Sequence, residues 1–334
     1  MMLRFLLLAC AYTSRCEPEP EHPLAHVRCT REGRKAPCLD VATCPAGASK
    51  RAAVVVFYDC HGPLHKTPRL ATTVRVNGEV ARRDGFDYLW AIPREADRED
   101  AFPDWLHRDY GLEIIEFPLP WIVPPNLSKG VPVESGGCCG AREFAKLQFL
   151  AMEKYDAVVV LDADVRLSDK AADPLRGVFD CAASGTLLTT RGSHSGVNGG
   201  FVAARPDSRR LASMLAALAT ATVDELSGWN GRGFGPFRKV GHPKFDARVQ
   251  GFLYHFLYAD AAPPFPAEQV DACVFNAQHN LAHLCVYELC TDAVRLSHGA
   301  AKPEARHCQV ALQRHRRNAT HARAAATAVD TRAS

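Results

Sequence analysis

Continuous apolar runs alternate along the chain with polar or glycine- and proline-rich stretches. Ala52-Ala53-Val54-Val55-Val56-Phe57-Tyr58 is the first long run, and it ends at Asp59. Runs of this kind suit strands buried on both faces, as in a parallel sheet. Phe86–Ile92 and Leu112–Phe117 read as further strands, with polar, partly helical pieces between them. Trp121–Gly137, rich in proline and glycine, reads as a long loop. From Ala141 to Tyr155 the apolar positions Phe144, Leu147, Leu150 and Met152 recur near helical spacing, and this helix feeds directly into a strand over Ala157–Leu161. Strands are also predicted over Gly185–Thr190 and Gly200–Ala204, and helices over Arg209–Thr220 and Val249–Tyr258, with glycine-rich Gly228–Gly241 between the two helices. Strands alternating with helices imply an α/β fold.

Composition narrows this little. At 334 residues, 47% hydrophobic and 23% charged, the chain can bury one large core or two small ones. The net charge of +3 selects no partner. Arg306, Arg314, Arg316, Arg317 and Arg323 gather near the C-terminus without interleaved aromatics, which argues against nucleic-acid binding. Residues 305–334 are expected to be a disordered, basic Ala/Arg-rich tail.

The N-terminus changes the picture more. Arg4 precedes a short apolar run, Phe5–Ala11, and then small and polar residues, the layout of a cleaved signal peptide over residues 1–16. The run is too short to span a bilayer, so no stable membrane span is expected; a buried N-terminal helix or strand is the alternative. Residues 17–50 form a leader in which Cys29, Cys38 and Cys44 crowd together, out of thirteen cysteines in the chain. These spacings suit disulfides in an oxidising compartment better than a zinc site. Asn126-Leu127-Ser128 and Asn318-Ala319-Thr320 are N-glycosylation sequons. The expected location is the secretory lumen (endoplasmic reticulum or Golgi) or the exterior.

The chemistry centres on Asp162-Ala163-Asp164, which follows Val158-Val159-Val160-Leu161. Residues i and i+2 of a strand point to one side, so both carboxylates can converge on one ion. The strand delivers them to its C-terminal end, where open α/β sheets bind ligands. Two carboxylates on Mn²⁺ or Mg²⁺ leave positions open to grip a diphosphate. Haloacid dehalogenase-type phosphatases use a similar Asp-x-Asp, with the first Asp as nucleophile. Their pattern calls for Thr or Val where this chain has Arg166, and it usually sits on the first strand.

Four segments in order, from Ala52 to Pro303, resemble glycosyltransferase family 8, the retaining enzymes that include glycogenin, galactinol synthases and lipopolysaccharide hexosyltransferases. Arg142–Leu147 running into Asp162-Ala163-Asp164 is the first, with Lys146 at the place of a family lysine that helps hold the nucleotide sugar. Val197-Asn198-Gly199-Gly200-Phe201-Val202 is similar to the family's Phe-Asn-Ser/Ala-Gly strand, and by that match Asn198 touches the donor sugar beside Gly199. Without the match, Asn198 reads as a turn residue. Val249-Gln250-Gly251-Phe252-Leu253-Tyr254 resembles the Asp-Gln-Gly/Asp-x-Leu-Asn signature, with Gln250 near the reactive carbon but Val249 in place of the Asp and Tyr254 in place of the Asn. Leu296–Pro303 resembles the His-x-x-Gly-x-x-Lys-Pro-Trp ending, with shorter spacing and Glu304 replacing the Trp.

The resemblance implies a GT-A (Rossmann-like) nucleotide-diphospho-sugar transferase domain over residues 51–304, with a mostly parallel central sheet and flanking helices. It implies a Mn²⁺ ion (Mg²⁺ as the substitute) held by Asp162, Asp164 and His298, with Ala163 between the carboxylates. Gly299 and Lys302 would meet the diphosphate, and Tyr58 and Asp59 the uridine and ribose. The implied reaction moves a hexosyl or pentosyl group from a UDP-sugar to a glycan, protein or small-molecule acceptor with retention. Because position 249 offers no carboxylate, front-face transfer with Gln250 orienting the sugar is expected. A non-catalytic UDP-sugar-binding protein is the alternative on the same fold. Trp229–Gly235 is either an acceptor-side loop or a flexible linker.

Overall fold

The computed structural model describes residues 29–31, 34–57, 68–93, 113–117, 140–163, 165–167, 172–192, 196–224, 228–232, 248–258, 265–271, 275 and 296–298. The proposed signal peptide, both sequons and the basic tail lie outside them, as do Tyr58, Asp59, Asp164, Gly299 and Lys302.

Among the described residues the central sheet has seven strands. They are β3 (Ala52–Phe57), β4 (Asp87–Pro93), β5 (Glu113–Phe117), β6 (Ala157–Leu161), β8 (Leu187–Thr190), β9 (Phe201–Ala204) and β12 (Ala267–Val270). Their spatial order is β12-β8-β9-β6-β3-β4-β5, and every neighbour pair is parallel except the two made by β9. The fold is therefore α/β with a mostly parallel sheet, as the apolar runs predict.

Burial on both faces explains the composition of the middle strands. Alternate residues of β3, β4, β6 and β9 enter two separate cores. Val158 and Val160 face a core built with helices α3 (Ser208–Thr220) and α4 (Val249–Tyr258) and with the 3₁₀ helix Gly140–Ala151. Val159 and Leu161 face another, built with α1 (Pro68–Asp84) and α2 (Ala172–Ala183). All five residues of β6 are buried, and each large side chain among them contributes on the order of 1.5–3 kcal/mol by leaving water. Helix α1 ends at Gly85, whose φ of +79° lets the chain reverse, with Gly85 N and Phe86 N both donating to Ala81 O.

The leader packs against the domain. Its first two strands, β1 (Cys29–Arg31) and β2 (Arg34–Ala36), form a hairpin, and Cys29 is bonded to Cys38. Cys44 is bonded to Cys181 in α2. Around that bond, Gly47 N and Ser49 N donate to the Asp180 carboxylate at 3.0 and 2.9 Å, and Leu39 N donates to Gln269 O at 2.8 Å. A methyl group at Gly177 would come within 2.9 Å of Val41, so the absence of a side chain there is what lets the leader lie against α2.

The Cys44–Cys181 bond closes a loop across 137 residues. Replacing both by serine should cost about 2–4 kcal/mol, mostly through the unfolded chain. The thermal midpoint of the double variant should fall and become insensitive to reductant at this bond. A melt that matches the parent protein would show that the strap carries no stability.

Candidate functional site

The end of β6 gathers three segments distant in sequence. Val56 and Leu161 are opposite one another, so β3 runs one residue past β6, and Asp162 is the first residue beyond its strand. Asp162 N donates to Gly200 O at 3.3 Å, and Val165 N closes the turn onto Asp162 O at 3.0 Å. Ala163 is buried under this turn. The Asp162 carboxylate stays partly open to solvent, with 28% of its side chain exposed.

Lys146 meets that carboxylate. Its Nζ donates to Asp162 Oδ1 and also to Gly199 O at 3.3 Å, and only 12% of the lysine side chain is exposed. An ion pair half withdrawn from water is stronger than a surface pair. Gly199 N in turn donates to Gln250 Oε1 at 3.4 Å. A single chain of contacts therefore runs from the 3₁₀ helix through Asp162 and the Asn198-Gly199 turn to the first turn of α4.

Asn198 is buried, and its Oδ1 accepts from Gly200 N at 2.5 Å while its backbone N donates to Thr190 O at 2.8 Å. The side-chain oxygen thus ties the turn beside the two glycines. Val249 is 1% exposed and belongs to the core with Trp229 and Phe252. An apolar residue at 249 has a packing reason, therefore: its Cγ1 sits 3.0 Å from where a β-carbon on Gly199 would lie.

His298 belongs to strand β13 (Leu296–His298), which pairs antiparallel with β7 (Val165–Leu167) so that His298 is opposite Val165. This places its backbone beside the Asp162–Asp164 turn; its side chain lies outside the described atoms, as does Asp164.

Three charged residues at this end carry no signal in the motifs. Glu143 lies one helical turn before Lys146, and its Oε1 pairs with Arg248 Nη1 at 3.6 Å. Burial pushes the Glu143 carboxyl up; Lys146 opposes this, Asp162 adds to it and Arg248 opposes it. Arg248 is itself buried and directly precedes Val249 and Gln250. Arg191, 2% exposed after β8, has its guanidinium pulled down to about 10 by burial. Only the spacing of Glu143 and Lys146 on one helix face was available to sequence reading.

Of the stretch Trp229–Gly235, residues 233–235 lie outside the described residues; Trp229 itself lies in strand β11 (Gly228–Trp229), paired antiparallel with β10 (Val223–Asp224). It is buried against Phe144 and Phe252, with ring centroids 6.4 and 5.6 Å away. The following turn is tied by Asn230, whose N donates to Thr222 O and whose Oδ1 accepts from Thr222 N, both at 2.8 Å.

A cavity of about 620 Å³ lies at the opposite end of β6, lined by residues that include Tyr155, Asp156, Arg205 and Asp207. Asp207 there accepts from the Arg209 and Arg210 amides and Glu153 from that of Ser208, and Arg210 Nη2 donates to Gly185 O, while its Nε and Nη1 find no hydrogen-bond partner among the described residues. The chemistry converges at the Asp162 end instead.

No family model matches the chain, and no curated protein matches it by sequence. Among solved structures it is similar to the glycosyltransferase GlyE of Streptococcus pneumoniae TIGR4, at 12% identity and a TM-score of 0.42 over 76% of this chain. The match spans 56% of the pneumococcal protein. It is similar to the apo form of mouse xyloside xylosyltransferase 1, at 13% identity and a TM-score of 0.40, over 76% of this chain and 98% of that one. A third similar structure is the galactosyltransferase LgtC with donor and acceptor sugar analogues, at 11% identity and a TM-score of 0.44, over 78% of this chain and 94% of that one.

The contact between Val249 and Gly199 is testable through stability. Gly199→Ala should lower the thermal midpoint, and Val249→Ala should remove the clash that the new methyl creates. The double variant should be more stable than the sum of the single changes by about 1 kcal/mol. Strict additivity would show that the two residues do not press on one another.

Proposed function

We propose that this chain is a metal-dependent retaining glycosyltransferase that moves a hexosyl or pentosyl group from a UDP-sugar. One observation carries the reading: Lys146, Asp162, Gly199 and Gln250, spread over more than a hundred residues, join in one hydrogen-bonded chain at the carboxyl end of β6. These are the residues that the resemblance to glycosyltransferase family 8 singles out, and the strand end is where α/β sheets take their ligands.

The donor set suits a divalent ion. Asp162 offers a partly open carboxylate, and its pairing with the Lys146 ammonium supports a reading in which this carboxylate is ionised and takes a cation. Asp162, Asp164 and His298 would hold Mn²⁺, with Mg²⁺ as substitute. When bound, the ion neutralises charge on the leaving diphosphate. Lys146 adds a second positive charge from the helix side, and Lys302 a third. Gln250, held by Gly199 N, orients the sugar. Val249 is locked in the core and supplies no nucleophile, so acceptor attack on the face that UDP leaves is the mechanism proposed.

The two leader disulfides fit a protein of the secretory lumen or the exterior. No helix among the described residues is long and apolar enough to cross a membrane. The acceptor is a glycan, a protein or a small molecule.

The purified protein should gain thermal stability with UDP only when Mn²⁺ is present, and should hydrolyse or transfer from one member of a UDP-sugar panel. Asp162→Asn should abolish the Mn²⁺-dependent gain. Stabilisation by UDP without turnover of any sugar would identify a binding protein, and phosphate-ester hydrolysis without UDP affinity a phosphatase.

Lys146→Met separates the two roles of the lysine. Removing the ammonium should tighten Mn²⁺ binding in the absence of nucleotide, because one competitor for Asp162 is gone, and weaken UDP binding by about tenfold, since a charge close to a diphosphate is worth roughly 1–2 kcal/mol at an intermediate dielectric. Titration of Mn²⁺ by paramagnetic resonance and of UDP by calorimetry reads both. Equal loss of both affinities would overturn this assignment.

A further inference from the structure

Asn77 stands in the middle of α1, and its side chain is fully buried. A buried primary amide is costly unless its donors and acceptor are all met. Here they are. Asn77 Nδ2 donates to Val165 O at 2.8 Å and to Tyr88 OH at 3.2 Å, and Asn77 Oδ1 accepts from Leu167 N at 2.7 Å. Burial pushes the Tyr88 phenol up to about 12, so the amide meets a neutral hydroxyl.

Two of these bonds go to the backbone of β7, the strand that directly follows Asp164. The carbonyl of Val165 and the amide of Leu167 face the same edge of that strand, so Asn77 pairs with it as a neighbouring strand residue does. The other edge carries Arg166, which is opposite Ser297 in β13. Strand β7 has three residues and lies outside the central sheet. It is thus gripped between one side-chain amide and the strand that carries His298.

From this we infer that Asn77 is a positioning residue for the metal site: by clamping β7 it sets where the turn Asp162–Asp164 ends and where His298 is brought against it. The inference rests on the metal-dependent reading above. Without the clamp the turn keeps its fixed start at the end of β6 but loses its fixed finish, and the ligands at its two ends no longer hold one separation. A residue that only stabilised the fold would change melting and leave metal affinity in the folded state alone.

The test measures Mn²⁺ affinity by paramagnetic resonance, well below the melting range, for the parent protein, Asn77→Ala and Val80→Ala. Val80 is a buried apolar residue of the same helix and the same core that takes no part in the three hydrogen bonds of Asn77, so its truncation controls for lost packing. Asn77→Ala is expected to bind Mn²⁺ at least about tenfold more weakly, corresponding to roughly 1.4 kcal/mol, with a broadened Mn²⁺ spectrum, while Val80→Ala keeps the parent affinity. Amide exchange at Leu167 should accelerate in Asn77→Ala and not in Val80→Ala. If Asn77→Ala does not fold, Asn77→Ser leaves a smaller void and is read in the same way. Parent-like Mn²⁺ affinity in a folded Asn77 variant overturns the positioning role and leaves the metal reading intact. No Mn²⁺ binding by the parent protein overturns the metal reading, and this inference with it.

Discussion

Asp162 is where a strand with no exposed surface runs out into charge. Ala157–Leu161 is buried on both faces, so β6 cannot slide or rotate without moving two cores, and the residue after it is fixed in space before any ligand arrives. A carboxylate held there and partly shielded from water requires a counter-charge, and Lys146 supplies it. The other contacts follow from that pair. Lys146 also holds Gly199 O, the turn at Asn198-Gly199 can approach because Gly199 has no side chain to strike Val249, and Gln250 then closes on the same glycine. Two cores and one ion pair thus fix the Asp162 end of the sheet.

The elements visible in the sequence are those whose burial is continuous. The strands β3 and β6 and the helix Val249–Tyr258 stand where their apolar runs place them, because a segment wrapped by core on all sides has no polar face to confuse the pattern. The expected helix of 141–155 instead spans Gly140–Ala151; the chain turns at Met152–Tyr155, where Tyr155 OH donates to Asp87. Helix α1 was legible only as a partly helical stretch, since its buried face mixes Val74, Val80 and Ala81 with Asn77 and Gly78 among charged neighbours. Strands β7, β12 and β13 were not legible at all. Each is three or four residues long, and β7 and β13 exist only by meeting across more than a hundred residues, which no local periodicity records.

The site divides in the same way. Lys146, Asp162, Asn198, Gly199 and Gln250 stood out because each lies in a short motif beside a recognisable element, and the structure brings these five together at one strand end. Glu143, Arg248, Arg191 and Asn77 did not stand out, because a buried polar residue is defined by what surrounds it in space. The substitution at Val249 reads from the sequence as a missing carboxylate. In three dimensions it is a filled position, with the side chain packed among Trp229, Phe252 and the turn at Gly199.

The bond between Cys44 and Cys181 also constrains how the protein can be made. Synthesis at roughly 5–20 residues per second puts on the order of ten seconds between the emergence of one cysteine and the other. Cys29 and Cys38, nine residues apart, can pair as soon as they appear. Cys44 must wait as a thiol beside them, open to the wrong partner, until α2 is delivered. In an oxidising lumen, correct pairing would therefore call for an isomerase or a slow oxidant, and rapid oxidation of the thiols would favour a wrong pairing in the leader before the domain it straps is complete.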